Sequence, residues 1–417
     1  MFIIAGDQEQ QVKGITFSNL VFSYTRSDYA SRSVDETLQP IPEDAPGYAS
    51  DSQSVCSAYG ALEFRYAHNC AIEHCTVKNV GLHGVTVNEG CDKIRIYGNL
   101  FSDIGAGAIK ICGGAYGCKK VEETWGNIIS QNHIKRCGRR YSAGCGILIM
   151  HAYSNTVSHN EISHLYYTGI SVGWVWGYCN SIAKDNLIEK NHVHHIGQGR
   201  LSDMGGIYLL GPQPGTVVRN NIVHDVSGYR YGGTGIYTDE GSSGILIEKN
   251  IVYNIQKAAF NQHFGRMNTV RNNIAAKSGF MMKAARPELH TGVVAERNIF
   301  VTDGGTAYVF GYRIGSGCFY MIQGNNNLHF DVQNAHKLLV IGEAEVGQRS
   351  YTLSEVQQQF GLEQGSIVAD PQFVDYENND FTLKEDSPAF KLGFEKIDTC
   401  DVGVSLDRKE EIVYAKI

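Results

Sequence analysis

Two carboxylates stand out by residue type and setting: Asp203 in "HHIGQGRLSDMGG" and Asp239 in "GGTGIYTDEGSS". If they face one groove, one can protonate a leaving oxygen while the other acts as nucleophile or activates water. That is the division of labour that glycosidic bond cleavage needs. A loop Asp is ordinarily a turn residue, so Asp203 matters only if the fold brings it to Asp239. Trp174, Trp176 and Tyr178 share one short stretch that holds two of the three Trp in the chain. Their flat faces suit the apolar C–H face of a sugar ring, or one of them caps the core. His195 and Gln198 precede Asp203 and are either subsite groups or structural ones. Arg266 and Arg286 could pair with the carboxylate of an acidic sugar.

What would hold these groups in place is a repeat. An Asn, or a stand-in for it, followed by an apolar strand recurs at Cys75, Asn99, Asn132, Asn160, Asn191, Asn221, Asn250, Asn273, Asn298 and Asn327. The intervals are 24, 33, 28, 31, 30, 29, 23, 25 and 29 residues. The local text is near-repetitive ("HNEISHL", "KNHVHHI", "RNNIVHDV", "KNIVYNI"), and "ITFSNLVFSYT" with Asn19 is an earlier copy. Such intervals are too short for a strand–helix–strand unit and fit one coil of three short strands. The expected fold is therefore a right-handed parallel β-helix. The Asn is expected to take a left-handed bend and to hydrogen-bond the coils above and below as a ladder. It is assigned no chemistry.

A second landmark is a Gly-apolar step at Gly84, Gly146, Gly169, Gly206 and Gly235. Strand alternation sends the residue after each Gly inward, and also the one two further on. The outward positions then stack in two columns. One reads Leu148, Ser171, Tyr208, Tyr237. The other reads Met150, Gly173, Leu210, Asp239, with His263 next if Ala259 takes the Gly slot. Tyr208 and Tyr237 thereby become subsite candidates beside Asp239. Glu240 falls on the inward parity unless the strand has ended. Extra residues between landmarks gather on consecutive middle coils, where an outward loop cluster and a site are expected.

Composition sets outer limits. With 19% charged and 42% hydrophobic residues the 417-residue chain suits a packed protein, and a net charge of −7 argues against a nucleic-acid surface. Its 47 Gly against 8 Pro suit many tight bends between strands. No apolar stretch reaches the roughly 18–20 residues that span a bilayer. The segment Met1 to Gly6 reads as no signal peptide. Eleven Cys without paired zinc spacing read mostly as free, buried thiols; Cys112 and Cys118 are the pair to inspect for a bridge. No metal and no cofactor are expected. The whole of residues 1–417 is expected to form one domain, with a long loop at 27–60 and a terminal coil and cap at 335–417. The cap should hold a short helix in "YTLSEVQQQFG", with Thr352 as N-cap and Glu355 closing a capping box.

The runs "YTGISVGWVWGY", "HHIGQGRLSDMGGIYLLGPQPGTVVRNNIVHDV", "GGTGIYTDEGSSGILIEKNIVYN", "NQHFGRMNTVRNNI" and "DPQFVDYENNDFTLKEDSPAFKLGF" resemble the β-helix proteins grouped around glycoside hydrolase family 141. The resemblance runs from about Val12 to Gly403. It implies fucosidase- or xylanase-like activity on a polysaccharide or oligosaccharide, with two catalytic Asp that fall on Asp203 and Asp239. Members of that family begin with further N-terminal coils and often a secretion signal, which this chain departs from. Two rival readings remain open. One is a polysaccharide lyase using Ca²⁺ and a base such as Arg266 or Lys283. The other is a non-catalytic glycan-binding solenoid.

Overall fold

The computed structural model describes residues 1–26, 52–310, 318–334, 338–341 and 349–405. Residues 27–51 of the anticipated 27–60 loop lie outside that set.

The chain winds as a parallel β-helix whose three sheets contain 13, 11 and 12 strands among the described residues. Each coil gives one strand to each sheet in turn, and successive coils add the next strand in parallel, save that Arg349–Tyr351 closes the first sheet antiparallel. Inward side chains stack in columns along the axis. In the first sheet Ile147, Ile170, Ile207, Ile236 and Phe260 are register partners in succession. Opposite them stand Ile134, Ile162, Val193, Val223 and Val252 of the third sheet, and all are buried.

The Gly landmark has a packing cause. A Cβ at Gly169, Gly206 or Gly235 would lie 2.6, 2.4 or 2.4 Å from Cγ1 of Val193, Val223 or Val252. Those glycines stand where the first sheet presses on the third, so the side chain is excluded by closeness and not by a left-handed φ.

The Asn ladder is present. The Nδ2 of each Asn donates to Oδ1 of the next, from Asn99 through Asn132, Asn160, Asn191, Asn221, Asn250, Asn273 and Asn298 to Asn327, at 2.9–3.1 Å. Each backbone N–H of that series joins the same acceptor, as Asn191 N does to Asn221 Oδ1 at 2.9 Å. The conformational expectation needs correcting. The left-handed residue is the one before each ladder Asn: Gln131, His159, Lys190, Asn220, Lys249, Asn272, Arg297 and Asn326 have φ between 52° and 59°. Asn19 itself sits in that bend slot, φ 57°. A second ladder escaped the sequence reading: Asn127 to Asn155 and Asn155 to Asn186, both 2.9 Å, at the entry to the second sheet.

The main ladder ends in the C-terminal segment. Asn327 N donates to Ser366 Oγ (2.8 Å) and its Nδ2 to Glu363 Oε2 (3.1 Å), while Tyr308 and Ser366 hydroxyls also donate to the buried Glu363 carboxylate. The expected helix is Leu353–Phe360, with the Thr352–Glu355 capping box and Gly361 left-handed at its end. Cys112 and Cys118 are free thiols, as are Cys56, Cys70, Cys75, Cys91, Cys137, Cys145, Cys179 and Cys400.

Replacing a ladder Asn strands a buried backbone donor on the preceding coil: Asn191 N has Asn221 Oδ1 as its acceptor, whereas Asn191 Nδ2 keeps Val157 O and Glu189 O. Each unmet buried group costs about 1–3 kcal/mol. Asn221→Ala should therefore lower stability by about 1–3 kcal/mol in equilibrium denaturation. Asn220→Gly, one residue earlier in the left-handed slot, should change it by only a few tenths of a kcal/mol, about the size of ordinary glycine effects at such positions.

Candidate active site

Strand Gly205–Leu210 and strand Thr234–Thr238 lie side by side in the first sheet, with Tyr208 directly opposite Tyr237. Both point outward, as alternation requires, and their rings meet edge to face at 5.1 Å. They are nonetheless buried, Tyr208 at 2% and Tyr237 at 6% exposure. Material laid over this face covers them. Gln53 Nε2 reaches the hydroxyls of Tyr167 (3.3 Å) and Tyr208 (3.5 Å). Val55 and Ala58 form a small outer core with Leu82, Ala106 and Tyr141. The described end of the 27–60 loop is thus a cover over part of the outward face.

Asp239 follows the strand that ends at Thr238 and is 5% exposed. Its two oxygens are both engaged: the Tyr208 hydroxyl donates to Oδ2, and His263 Nδ1 stands 2.5 Å from Oδ1. Burial alone would push this carboxyl up. The hydrogen bonds from His263 and Tyr208, with the charge of His263, more than offset that and hold it below the ordinary Asp value.

Asp203 arrives from the insertion between Ile196 and Gly205, in a left-handed conformation (φ 58°). Its N–H donates to Tyr231 O at 3.2 Å, its C=O accepts from the Tyr167 hydroxyl at 2.8 Å, and Gly232 packs against its backbone. The Tyr237 hydroxyl donates to its Oδ1 at 3.3 Å and also interacts with Asp239, so one phenol serves both carboxylates. Here the balance runs the other way. Burial and then the neighbouring Asp239 charge raise the Asp203 carboxyl above its ordinary value.

Around Asp239 stands a half-exposed rim. Arg286 Nη1 meets Glu240 Oε1 at 3.3 Å, and His263 lies 4.0 Å from the same carboxylate. The parity that sent Glu240 inward fails because the strand has already ended. Arg266 lies over the Tyr178 ring at 4.8 Å, Phe264 meets that ring at 5.8 Å, and the Tyr178 hydroxyl bonds Glu288. The stretch carrying these aromatics reaches over the turn after Asp239, with Gly177 against Gly241. Trp176 is 46% exposed, whereas Trp174 is 5% exposed and packs in the core with its ring edge toward Trp176 at 5.7 Å. Trp174 therefore packs beneath Trp176 and not on the surface.

Two candidates lie elsewhere. His195 belongs to the third-sheet strand His192–Ile196, where it bonds His194 and stacks on His164. Gln198 donates to the C=O groups of Leu165 and His195 and fastens the start of the insertion. Sequence reasoning missed Gln53, Tyr167 and Tyr231. Tyr231 had a signal: it lies in an insertion on the coil after that of Asp203, one residue shorter than the insertion there.

Because the His263 contact is a principal cause of the low Asp239 value, His263→Gln should raise the Asp239 pKa. Carboxyl-carbon NMR titration of the variant against the parent checks this. An unchanged Asp239 titration would mean that the Tyr208 hydroxyl alone holds the charge.

The family model described as "Right handed beta helix region" matches residues 60–229 and 125–309 of this chain. No curated protein matches the sequence. Among solved structures, one described as "Glycoside hydrolase" is 21% identical with a TM-score of 0.51, over 71% of this chain and 50% of its own. The GH136 lacto-N-biosidase from Eubacterium ramulus is 12% identical with a TM-score of 0.45, over 68% and 51%. The PL6 polysaccharide lyase Pedsa3628 from Pseudopedobacter saltans is 12% identical with a TM-score of 0.39, over 84% and 95%. The chain spans about half the length of the first two. At 21% identity the likeness to the first of these is one of fold, and the family model that matches more than half of the residues, with the parallel sheets, shows that the chain belongs to the right-handed β-helix family.

Proposed function

We propose that this protein is a glycoside hydrolase that cleaves a bond in a plant or microbial polysaccharide or its side chains, with fucosidase- or xylanase-like specificity. Asp203 is the general acid and Asp239 the nucleophile or general base. The observation that carries the assignment is the unequal bonding of two carboxyls that share the Tyr237 hydroxyl: Asp203, partly buried beside the Asp239 charge with one long contact, is pushed up, whereas Asp239 has a donor on each oxygen and is held low. Neighbouring carboxyls with pKa values pushed apart are the arrangement in which one stays protonated while the other is charged.

The surroundings support a sugar as ligand. Trp176 and Tyr178 offer exposed ring faces at the rim, and Arg266, Arg286 and Glu240 offer polar partners beside them. Ser171 Oγ and Asn261 Oδ1, in the same outward column as Tyr208 and Tyr237, are buried polar atoms without a hydrogen-bond partner among the described residues. Both atoms are shut off from solvent and lie beneath the site. In this scheme Asp203 delivers its proton to the glycosidic oxygen as the bond to the anomeric carbon breaks. Asp239, kept anionic by His263 and Tyr208, attacks that carbon or takes a proton from the attacking water.

The working form needs Asp239 ionised and Asp203 protonated. Activity should therefore rise as Asp239 loses its proton below the ordinary Asp range. It should fall as Asp203, raised above that range, loses its own, which gives a bell-shaped profile on the acidic side. The direct test is incubation with pectic, xylan and fucosylated glycans, with and without EDTA, followed by mass analysis. Product masses should sum to substrate plus one water, independent of EDTA. Asp203→Asn and Asp239→Asn should each lower kcat by about 10²–10⁴-fold. Asn tolerates the left-handed backbone at position 203, so that variant tests the carboxyl and not the turn. An unsaturated, ultraviolet-absorbing product without added water would instead assign a lyase. Saturable glycan binding with no turnover that either Asp variant diminishes would assign a binding solenoid.

A further inference from the structure

On the outward face of the third sheet, away from the Asp pair, histidines and a glutamate converge. Strand His192–Ile196 carries His192 and His194 two residues apart, so alternation puts both imidazoles on the same face. Strand Glu161–Leu165, one coil earlier, places Glu161 directly opposite His192, and one coil later His224 stands opposite His194. Glu161 Oε1 is 2.8 Å from His194 Nε2, and Oε2 is 3.2 Å from His192 Nδ1. One ligand atom from each of the three residues lies within 4.8 Å of the others. Their side chains are 14–26% exposed, reachable from solvent yet partly sheltered. Gly403 of the C-terminal segment lies over Glu161 and His192 and is held by its N–H to Lys190 O at 2.9 Å.

The hydrogen-bond chain behind His192 decides what belongs in the gap. Asp225 Oδ2 accepts from His224 Nδ1, 2.8 Å away, which leaves His224 Nε2 as an acceptor. His192 Nε2, 2.8 Å from it, is then the donor. The remaining His192 nitrogen, Nδ1, therefore turns a lone pair toward the Glu161 carboxylate. Two acceptors facing each other at 3.2 Å need a positive charge between them, either a proton or a metal ion. Two imidazoles and one carboxylate are the donor set of Zn²⁺ and its first-row neighbours, and a carboxylate–His relay behind a ligating His fixes its tautomer.

We propose that Glu161, His192 and His194 bind one first-row divalent transition-metal ion, of which Zn²⁺ is the reference case, with His224 and Asp225 orienting His192. The ion would tie two successive coils together beneath the Gly403 segment. The strand carrying both histidines runs directly into the insertion that bears Asp203, so the clamp stiffens the framework behind that insertion. The proposal does not depend on the hydrolase assignment.

The test uses the full chain with any oligohistidine tag removed and metal stripped by EDTA dialysis. Calorimetric titration with Zn²⁺ should show one site per chain, and Zn²⁺ should raise the melting temperature. Loading with Co²⁺ should produce visible ligand-field bands. His192→Ala and His194→Ala should each weaken Zn²⁺ binding at least about a hundredfold, at the upper end of what losing a metal-site partner does. Circular dichroism should show the parental fold in both. Parental Zn²⁺ binding in both variants would overturn the proposal. So would a parent chain that binds no Zn²⁺, which would assign the gap to a proton on His192.

Discussion

Everything outward on this molecule depends on how one coil is registered on the next, and the Asn ladder is what fixes that register at the bend between the second and third sheets. A bend inside a stack buries backbone N–H and C=O groups that strand pairing does not reach. Each ladder Asn meets at least two of these needs at once, one N–H and one C=O. Asn221, for example, accepts from Asn191 N and Nδ2 through Oδ1 and donates to Asn250 Oδ1 and Ile188 O through Nδ2. Slipping one coil by a residue would break several such bonds and send its inward side chains outward. With the register locked, Tyr208 must stand beside Tyr237, and His263 beside Asp239. The candidate site is a consequence of the stack before it is a feature of any loop.

The stack tolerates insertions because they leave the core untouched. Residues 52–58, 174–186, 197–204 and 227–233 all depart from the coil and return to it, and the inward columns continue beneath them. What these segments do collectively is bury the outward tyrosines and carboxylates, which a bare β-helix face would leave in water. Burying two carboxyls is costly unless donors meet them. Tyr208 and His263 meet Asp239, and Tyr237 meets Asp203. Asp239 sits at the end of a rigid strand with a donor on each oxygen. Asp203 sits on a turn with one long contact from a side chain, and so keeps its proton more readily.

Much of this was legible in the residue pattern, for physical reasons. The ladder Asn recur because a short side-chain amide accepts from one coil and donates to the next within the same bend. The landmark Gly recur because a methyl group has no room against Val193, Val223 or Val252. The outward columns followed from alternation alone and put Asp239 beside His263. What escaped notice was what alternation and spacing do not encode. The Asn127–Asn155–Asn186 ladder has few rungs, and no apolar landmark of its own marks it. Glu240 was sent inward because a strand's end is invisible to parity. His195 looked like part of the Asp203 insertion, but the strand runs on to Ile196 and leaves it on a different sheet. The contacts of Gln53 and Tyr167 join segments from separate coils, which no local window connects.

The same alternation that exposes a candidate catalytic column on the first sheet builds the histidine face on the third. Along a strand, residues two apart share a face, and across coils register partners share a column. A solenoid therefore turns short local spacings into two-dimensional arrays of side chains. His192, His194, His224 and Tyr253 form such an array, with the His194 and His224 rings stacked at 5.0 Å and His224 on Tyr253 at 4.7 Å. Between the two arrays run the insertions at 197–204 and 227–233, each of which starts at the end of a third-sheet strand and ends at the start of a first-sheet strand. Asp203 is consequently held at one end by the strand that carries His192 and His194, and at the other by the strand that carries Tyr208. Stiffness on either face is felt as positional accuracy at the carboxyl between them.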